Sequence, residues 1–198
     1  MNKWDERYSG SEYAYGLKPN AFLVEQATLL LPANRLRVLS LGEGEGRNAT
    51  YLAECGHQVH AVDGSVVGLA KARQLATERK VIITTEVADL TDYKIDLAYD
   101  LIVMIFCHLP SRVRTKIHHQ ILSSLNPGGL LIYQAYSPNQ LKYGTGGPDQ
   151  LDMLVTLEEL KQNFSPMQLL HGCIREREIK EGTFHTGLAE VTEFVARK

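Results

Sequence analysis

The chain has 198 residues, 44% of them hydrophobic and 22% charged, with a net charge of −2. That length and composition suit a globular protein with a sizeable core, and the charge gives no reason to expect a polyanion such as nucleic acid as partner. Cys55, Cys107 and Cys173 are too scattered for a disulfide framework or a metal cage. Buried free thiols in a reducing, cytoplasmic compartment fit them better, and no metal is expected. The first eight residues carry no apolar signal core, and no apolar run reaches membrane-spanning length, so no membrane partner is expected.

Taken in chain order, the pattern alternates helix and strand. Pro19–Leu31 has helical apolar spacing, Arg37–Leu41 reads as a short buried strand, and Arg47–Cys55 as a helix ended by Gly56. Gln58–Val62 is a second strand, Ser65–Arg79 a helix and Val81–Val87 a third strand. Tyr99–Ile105 is near-continuously apolar, as a parallel strand covered on both faces must be. Arg112–Leu125 is a helix that stops at Asn126-Pro127-Gly128-Gly129, and Leu130–Ala135 is the next strand. Leu157–Phe164 is a short helix, and Met167–Ile179 with Leu188–Arg197 forms a hairpin around Glu181-Gly182. The expected fold is α/β, a Rossmann-like doubly wound sheet of about seven strands with a C-terminal antiparallel hairpin. Ligands of such sheets bind beyond the carboxyl ends of the strands, at the switch point.

The first strand runs into Gly42-Glu43-Gly44-Glu45-Gly46, and Asp63 closes the second strand about 20 residues later. Glycines let backbone approach a nucleoside, and an ionised carboxylate accepts from ribose hydroxyls. The spacing is G-x-G-x-G; Arg47 stands where the dinucleotide fingerprint needs its third glycine, and no phosphate lysine follows. The competing reading of Asp63 is a turn or helix-cap aspartate in Asp-Gly-Ser. His108 is the histidine of a site loop, with an ordinary pKa suited to a general base. Its competing role is to cap the helix that follows Pro110-Ser111. His118 and His119 read as surface or interface residues, and His185 as a hairpin-tip residue that is either remote or folds over the site. Tyr136 and Tyr143 precede a glycine-rich loop, Gly144–Pro148, and with Tyr13 they are expected to line an acceptor pocket; incidental surface tyrosines are the alternative.

These segments together resemble class I S-adenosylmethionine-dependent methyltransferases, and among them the small bacterial tellurite-resistance and thiopurine-type enzymes. Trp4-Asp5-x-Arg7-Tyr8 with Tyr15-Gly16 and Pro19-Asn20 looks like that family's N-terminal cap. Leu41 to Asn48 is similar to its glycine motif, Val62-Asp63-x-Ser65 to its ribose motif, and Ala88-Asp89-Leu90 to its adenine-side motif. Ile105-Phe106-Cys107-His108-Leu109-Pro110 matches the loop after the fourth strand, and Leu125-x-Pro127-Gly128-Gly129 the turn before the fifth. The resemblance implies one domain over residues 1–198, with 1–34 as a cap and 35–198 as the Rossmann-like core. It implies S-adenosylmethionine as cofactor, S-adenosylhomocysteine as product, and Tyr15, Gly42, Glu43, Gly44, Gly46, Arg47, Asn48, Asp63, Gly64, Ser65, Ala88, Asp89, Leu90, Ile105 and Phe106 as cofactor-binding positions. Asp89 would then accept from the adenine amino group, or merely cap a turn, while Leu90 packs on the ring. The chain departs from the pattern at Ser40, where the family carries an acid. Glu43 is the candidate to supply that charge near the sulfonium.

The expected function is methyl transfer to a small-molecule acceptor by a monomer or homodimer. A non-catalytic S-adenosylmethionine or S-adenosylhomocysteine binding protein is the alternative, since fold does not fix function. The Asn/Asp-Pro-Pro-Tyr motif of amino-methyltransferases is absent after the fourth strand, and sulfur, nitrogen, oxygen and metalloid acceptors all remain open.

Overall fold

The computed structural model describes residues 2–182 and 184–198; the side chain of His185 lies outside the described residues. Seven strands form one sheet: β1 (Arg37–Leu41), β2 (Gln58–Asp63), β3 (Ile83–Val87), β4 (Tyr99–Ile105), β5 (Leu125–Tyr136), β6 (Gln168–Glu181) and β7 (His185–Arg197). Their order is β3-β2-β1-β4-β5-β7-β6, parallel through β5, with β7 antiparallel to both β5 and β6. This is the expected Rossmann-like sheet with an antiparallel C-terminal hairpin. The order reverses between β1 and β4, so their carboxyl ends open a crevice there.

Among the described residues six α-helices accompany the sheet: α1 (Lys3–Tyr8), α2 (Ala21–Leu30), α3 (Arg47–Glu54), α4 (Val66–Glu78), α5 (Ser111–Ser124) and α6 (Leu157–Asn163). Phe22 and Leu23 of α2, Leu52 of α3 and Leu69 of α4 pack on one face of the sheet. Ile117 and Ile121 of α5 with Leu160 of α6 pack on the other. Burial on both faces explains why β1 and β4 are mostly apolar instead of alternating, with Ser40 and Asp100 as interruptions.

Boundaries differ from the sequence reading where backbone chemistry overrides pattern. Helix α1 was not expected, because six residues show no usable periodicity. It forms through a capping box, in which the Asn2 side chain accepts from the Trp4 and Asp5 amides and the Asp5 side chain accepts from the Asn2 amide. The turn expected at Asn126–Gly129 is absorbed into β5 as an irregularity: register moves from Tyr99↔Leu125 to Leu101↔Leu130. There the Gly128 amide donates to the Lys198 carbonyl and the Lys198 amide to the Gly129 carbonyl. Strand β3 starts at Ile83 instead of Val81, whose amide still closes the end of α4 by donating to the Ala76 carbonyl.

His118, read as a surface or interface residue, is fully buried between α5 and α6, its Nδ1 accepting from Asn163 Nδ2 at 2.9 Å; His119 is exposed. Burial and the nearby Arg114 guanidinium depress the His118 pKa from 6.5 to about 3. The folded state therefore refuses a proton that the unfolded state takes, so stability falls as pH drops below 6.5. Between pH 7 and pH 5 the expected loss from this group is about 2 kcal/mol. Urea unfolding of the protein and of His118→Asn at both pH values checks it; the variant should lose most of that pH slope.

Candidate functional site

The turn after β1 is built on glycine because nothing larger fits. The Gly42 and Glu43 amides both donate to the Val62 carbonyl, which pins the turn to β2. A Cβ on Gly42, at φ +65°, would lie 2.5 Å from Cys107 Sγ. A Cβ on Gly46 would lie 2.6 Å from the Ala72 backbone, so the start of α3 packs directly on the middle of α4.

Asp63 ends β2 and is buried. Its Oδ2 accepts from the Gly44 amide at 2.8 Å and its Oδ1 from the Ser65 amide at 2.8 Å. Burial raises its pKa, and the two amides oppose that rise. The turn-capping reading and the ligand-binding reading thus hold at once. A carboxylate offers about four lone-pair sites, so each oxygen keeps one for a hydroxyl donor from the crevice. The Ser65 side chain caps α4 by accepting from the Gly68 amide, and its hydroxyl donates to Asp5 Oδ1 at 2.7 Å.

Glu43 turns inward. Its Oε1 accepts from the Asn48 and Ala49 amides at the start of α3, and its Oε2 accepts from the Ser40 hydroxyl. Ser40 and Glu43 are therefore one unit, with the charge held at a helix N-terminus where the macrodipole favours it. Burial still raises the Glu43 pKa against these bonds. Glu45, two residues on, pairs through Oε1 with Lys71 Nζ at 2.8 Å, while its buried Oε2 has no hydrogen-bond partner among the described residues.

Across the crevice, β4 delivers Ile105, Phe106, Cys107 and His108. Phe106 takes a left-handed backbone, φ 52°, with its amide held by the Gln134 carbonyl at 2.8 Å. Such a conformation is costly for a non-glycine residue and turns the loop sharply at the strand end. The His108 ring stacks on Tyr136 at 5.6 Å. His108 is not the cap of α5, because the Ser111 amide donates to Asp152 instead.

Together these elements enclose a cavity of about 350 Å³. Of the expected positions, Tyr15, Gly42, Glu43, Arg47, Asn48, Asp63, Gly64, Ala88, Asp89, Leu90, Ile105, Phe106 and His108 line it. Gly44, Gly46 and Ser65 do not line it and act on it through Asp63 and helix packing. Asp89 lines the rim while its Oδ1 accepts from the Thr91 amide, which holds its pKa below the ordinary range. Arg47 lines the wall but is ion-paired with Glu181 at 2.7 Å.

Three tyrosines expected at the acceptor pocket, two by the loop and one in the N-terminal segment, do not line this cavity. Tyr136 is fully buried beneath His108 and Phe106, so it supports the wall instead of lining it. Tyr143 bonds Glu176 on β6, and its loop packs on the hairpin through Thr145, whose hydroxyl donates to the Leu188 carbonyl. Tyr13 faces α4, its hydroxyl donating to the Lys71 carbonyl with Lys71 Nζ 5.1 Å from its ring. The sequence reading also missed a wall: Asn2, Lys3, Trp4 and Tyr8 roof the cavity. The Trp4–Tyr8 segment was legible as a cap, but nothing in it announced a helix, nor that Asn2 Nδ2 donates to the Gly64 carbonyl at 2.8 Å.

A glycine turn, a buried strand-end aspartate and a loop after β4 meet at the switch point of a Rossmann-like sheet, the arrangement that the fold offers to a ligand. Residues 38–129 match the model of the methyltransferase domain family, a span that includes each of those three elements. Among solved structures, TehB from Haemophilus influenzae shares the fold at a TM-score of 0.75 with 20% identity, over 98% of this chain. This chain spans 65% of the length of TehB. The N-methyltransferase NodS from Bradyrhizobium japonicum WM9, in complex with S-adenosylhomocysteine, matches at a TM-score of 0.69 with 14% identity, over 98% of this chain and 96% of NodS. The magnesium protoporphyrin IX methyltransferase ChlM from Synechocystis PCC 6803, with bound S-adenosylmethionine, matches at 0.65 with 16% identity, over 90% and 75%. At these identities the likeness is one of fold. No curated protein matches the sequence.

Asp63→Ala should weaken S-adenosylhomocysteine binding by about 1.5–3 kcal/mol in calorimetry. Because the Gly44 and Ser65 amides lose their acceptor, unfolding stability should fall too, by about 1–3 kcal/mol. A loss of stability with unchanged affinity would reduce Asp63 to a turn cap.

Proposed function

We propose that this chain transfers a methyl group from S-adenosylmethionine to a small-molecule acceptor. The observation that carries the reading is Asp63, fixed by two backbone amides with free lone pairs facing the crevice. The residues present fit the cofactor on a second count: the unpartnered, buried Oε2 of Glu45 suits a cationic donor such as an α-ammonium group. Asp63 would hold the ribose diol, Leu90 and Ala88 the adenine face, and the Gly42–Glu45 turn the methionine end. The bound cofactor supplies a methyl group already activated on a sulfonium.

This chain's residues then have three tasks. The walls Phe106, Leu90 and Trp4 exclude water. The turn and Asp63 fix one reactant, so that an acceptor arriving beside His108 meets it in line. His108 takes the acceptor proton where the acceptor is a hydroxyl, amine or thiol. Among the described residues no helix is long and apolar enough to cross a membrane. The three free cysteines agree with a reducing, cytoplasmic setting.

Calorimetry should show S-adenosylmethionine binding and little response to NAD. A screen of small acceptors with labelled methyl cofactor should then yield label transfer. His108→Gln should lower kcat by about 10²-fold or more while cofactor affinity stays within a few-fold. Cofactor binding without transfer to any thiol, amine, hydroxyl or metalloid oxyanion would favour a binding protein without chemistry.

A further inference from the structure

Outside the cavity, on the face of the hairpin that meets α2, three side chains of metal-ligating type converge. His171 and Cys173 alternate along β6 and share a face, and Glu193 stands directly opposite Cys173 on β7. The donor atoms His171 Nε2, Cys173 Sγ and Glu193 Oε2 lie within 4.8 Å of one another. We propose that His171, Cys173 and Glu193 form a three-ligand site for a zinc-class divalent cation. This inference does not rest on the methyltransferase reading.

The spacing of the donors carries the argument. Bonds of about 2.3 Å to sulfur, 2.0–2.1 Å to nitrogen and 2.0 Å to oxygen give a tetrahedron with edges of roughly 3.6 Å (S to N), 3.3 Å (N to O) and 3.5 Å (S to O). The three separations here are 3.4 Å from Cys173 Sγ to His171 Nε2, 3.3 Å from His171 Nε2 to Glu193 Oε2, and 3.6 Å from Cys173 Sγ to Glu193 Oε2. One face of the tetrahedron is thus already set in the protein alone. His171 and Cys173 are partly exposed, so the fourth position opens toward solvent and water fills it. A mixed sulfur, nitrogen and oxygen set selects zinc and its soft neighbours over magnesium or calcium.

The surroundings both oppose and assist. Arg175 Nε donates to Glu193 Oε2 at 3.1 Å, and Arg177 donates to Oε1 at 3.0 Å. Glu25 of α2 acts electrostatically on Arg175, and the Phe22 ring lies 5.5 Å from His171 and fixes its plane. Gln134 Nε2 donates to Glu193 Oε1 at 3.0 Å, orienting the carboxylate so that Oε2 faces the other two ligands. Arg175 occupies the cation's side of Oε2 and also hydrogen-bonds Cys173, but its side chain is 48% exposed, so it can swing into water and leave both ligands to the cation while Arg177 stays on Oε1. On binding, Cys173 loses its thiol proton to solvent, His171 coordinates as the neutral ring through Nε2, and no electron is transferred.

Cobalt(II) titration of the full chain tests this directly. One equivalent should produce a thiolate-to-cobalt charge-transfer band together with the intense visible bands of four-coordinate cobalt, and zinc should displace both. Cys173→Ser, which is nearly isosteric, should abolish the charge-transfer band, whereas Cys55→Ser, at the exposed thiol, should leave it intact. His171→Ala should weaken affinity by about tenfold or more. Arg175→Ala should tighten binding several-fold, which a non-specific thiol site would not show. Absence of a charge-transfer band at stoichiometric metal, or a band that survives Cys173→Ser, overturns the proposal.

Discussion

The Asp63 carboxylate is the constraint around which the site is organised. It accepts one amide from the glycine turn and one from the start of α4, so a single side chain fixes two loops that leave different strands. Without that acceptor the Gly44 amide would be a buried donor with nothing to bond, which is costly inside a protein. The pinned turn sets the origin of α3, and the close contact of Gly46 with Ala72 then sets α3 against α4. Ser65 extends the same arrangement outward: by bonding Asp5 it ties the first helix to the crevice. The cavity wall is thus a chain of consequences from one buried charge.

A second group of buried polar side chains joins the two halves of the sheet. Arg47 pairs with Glu181, Glu181 accepts from Asn20, Asn20 donates to Gln134, and Gln134 donates to Glu193. Each member has its charge or hydrogen bond matched by the next, which is the condition under which buried polar groups specify a packing instead of weakening it. The chain fastens the antiparallel hairpin to the parallel half of the sheet. It also explains why Arg47, which stands where a dinucleotide site needs glycine, is tolerated in a glycine turn: its guanidinium points away along the wall to a waiting carboxylate.

Much of this was legible in the residues. Parallel strands buried on both faces announce themselves as apolar runs, and G-x-G-x-G with an acid at the next strand end carries its own geometry, so the sheet, the switch point and Asp63 could be read directly. What escaped reading depended on contacts distant in sequence. Helix α1 exists because Asn2 caps it and Gly64 and Ser65 hold it, and six residues show no period. Tyr136 looked like a pocket residue since it ends a strand, yet strand alternation turned it under His108. Tyr143 looked the same and was claimed by Glu176 on a strand more than 30 residues away. Ser40 read as a missing acid, when it is the hydrogen-bond donor that holds Glu43. The His-x-Cys pair on β6 carried no metal spacing, because its third partner lies across the hairpin.

The roof over the crevice has a kinetic meaning. Asn2, Lys3 and Trp4 lie over the cavity, and the helix they begin is held to the loop beneath by Asn2 to Gly64 and Ser65 to Asp5, and to α4 by the buried Tyr8 ring beside Gly68. A ligand seated under that roof would exchange with solvent more readily when the short helix lifts. Helix ends fray far faster than domains rearrange. Residence time in such a site would follow how readily the first helix detaches, a property set by Asn2, Asp5 and Ser65, as much as the depth of the pocket.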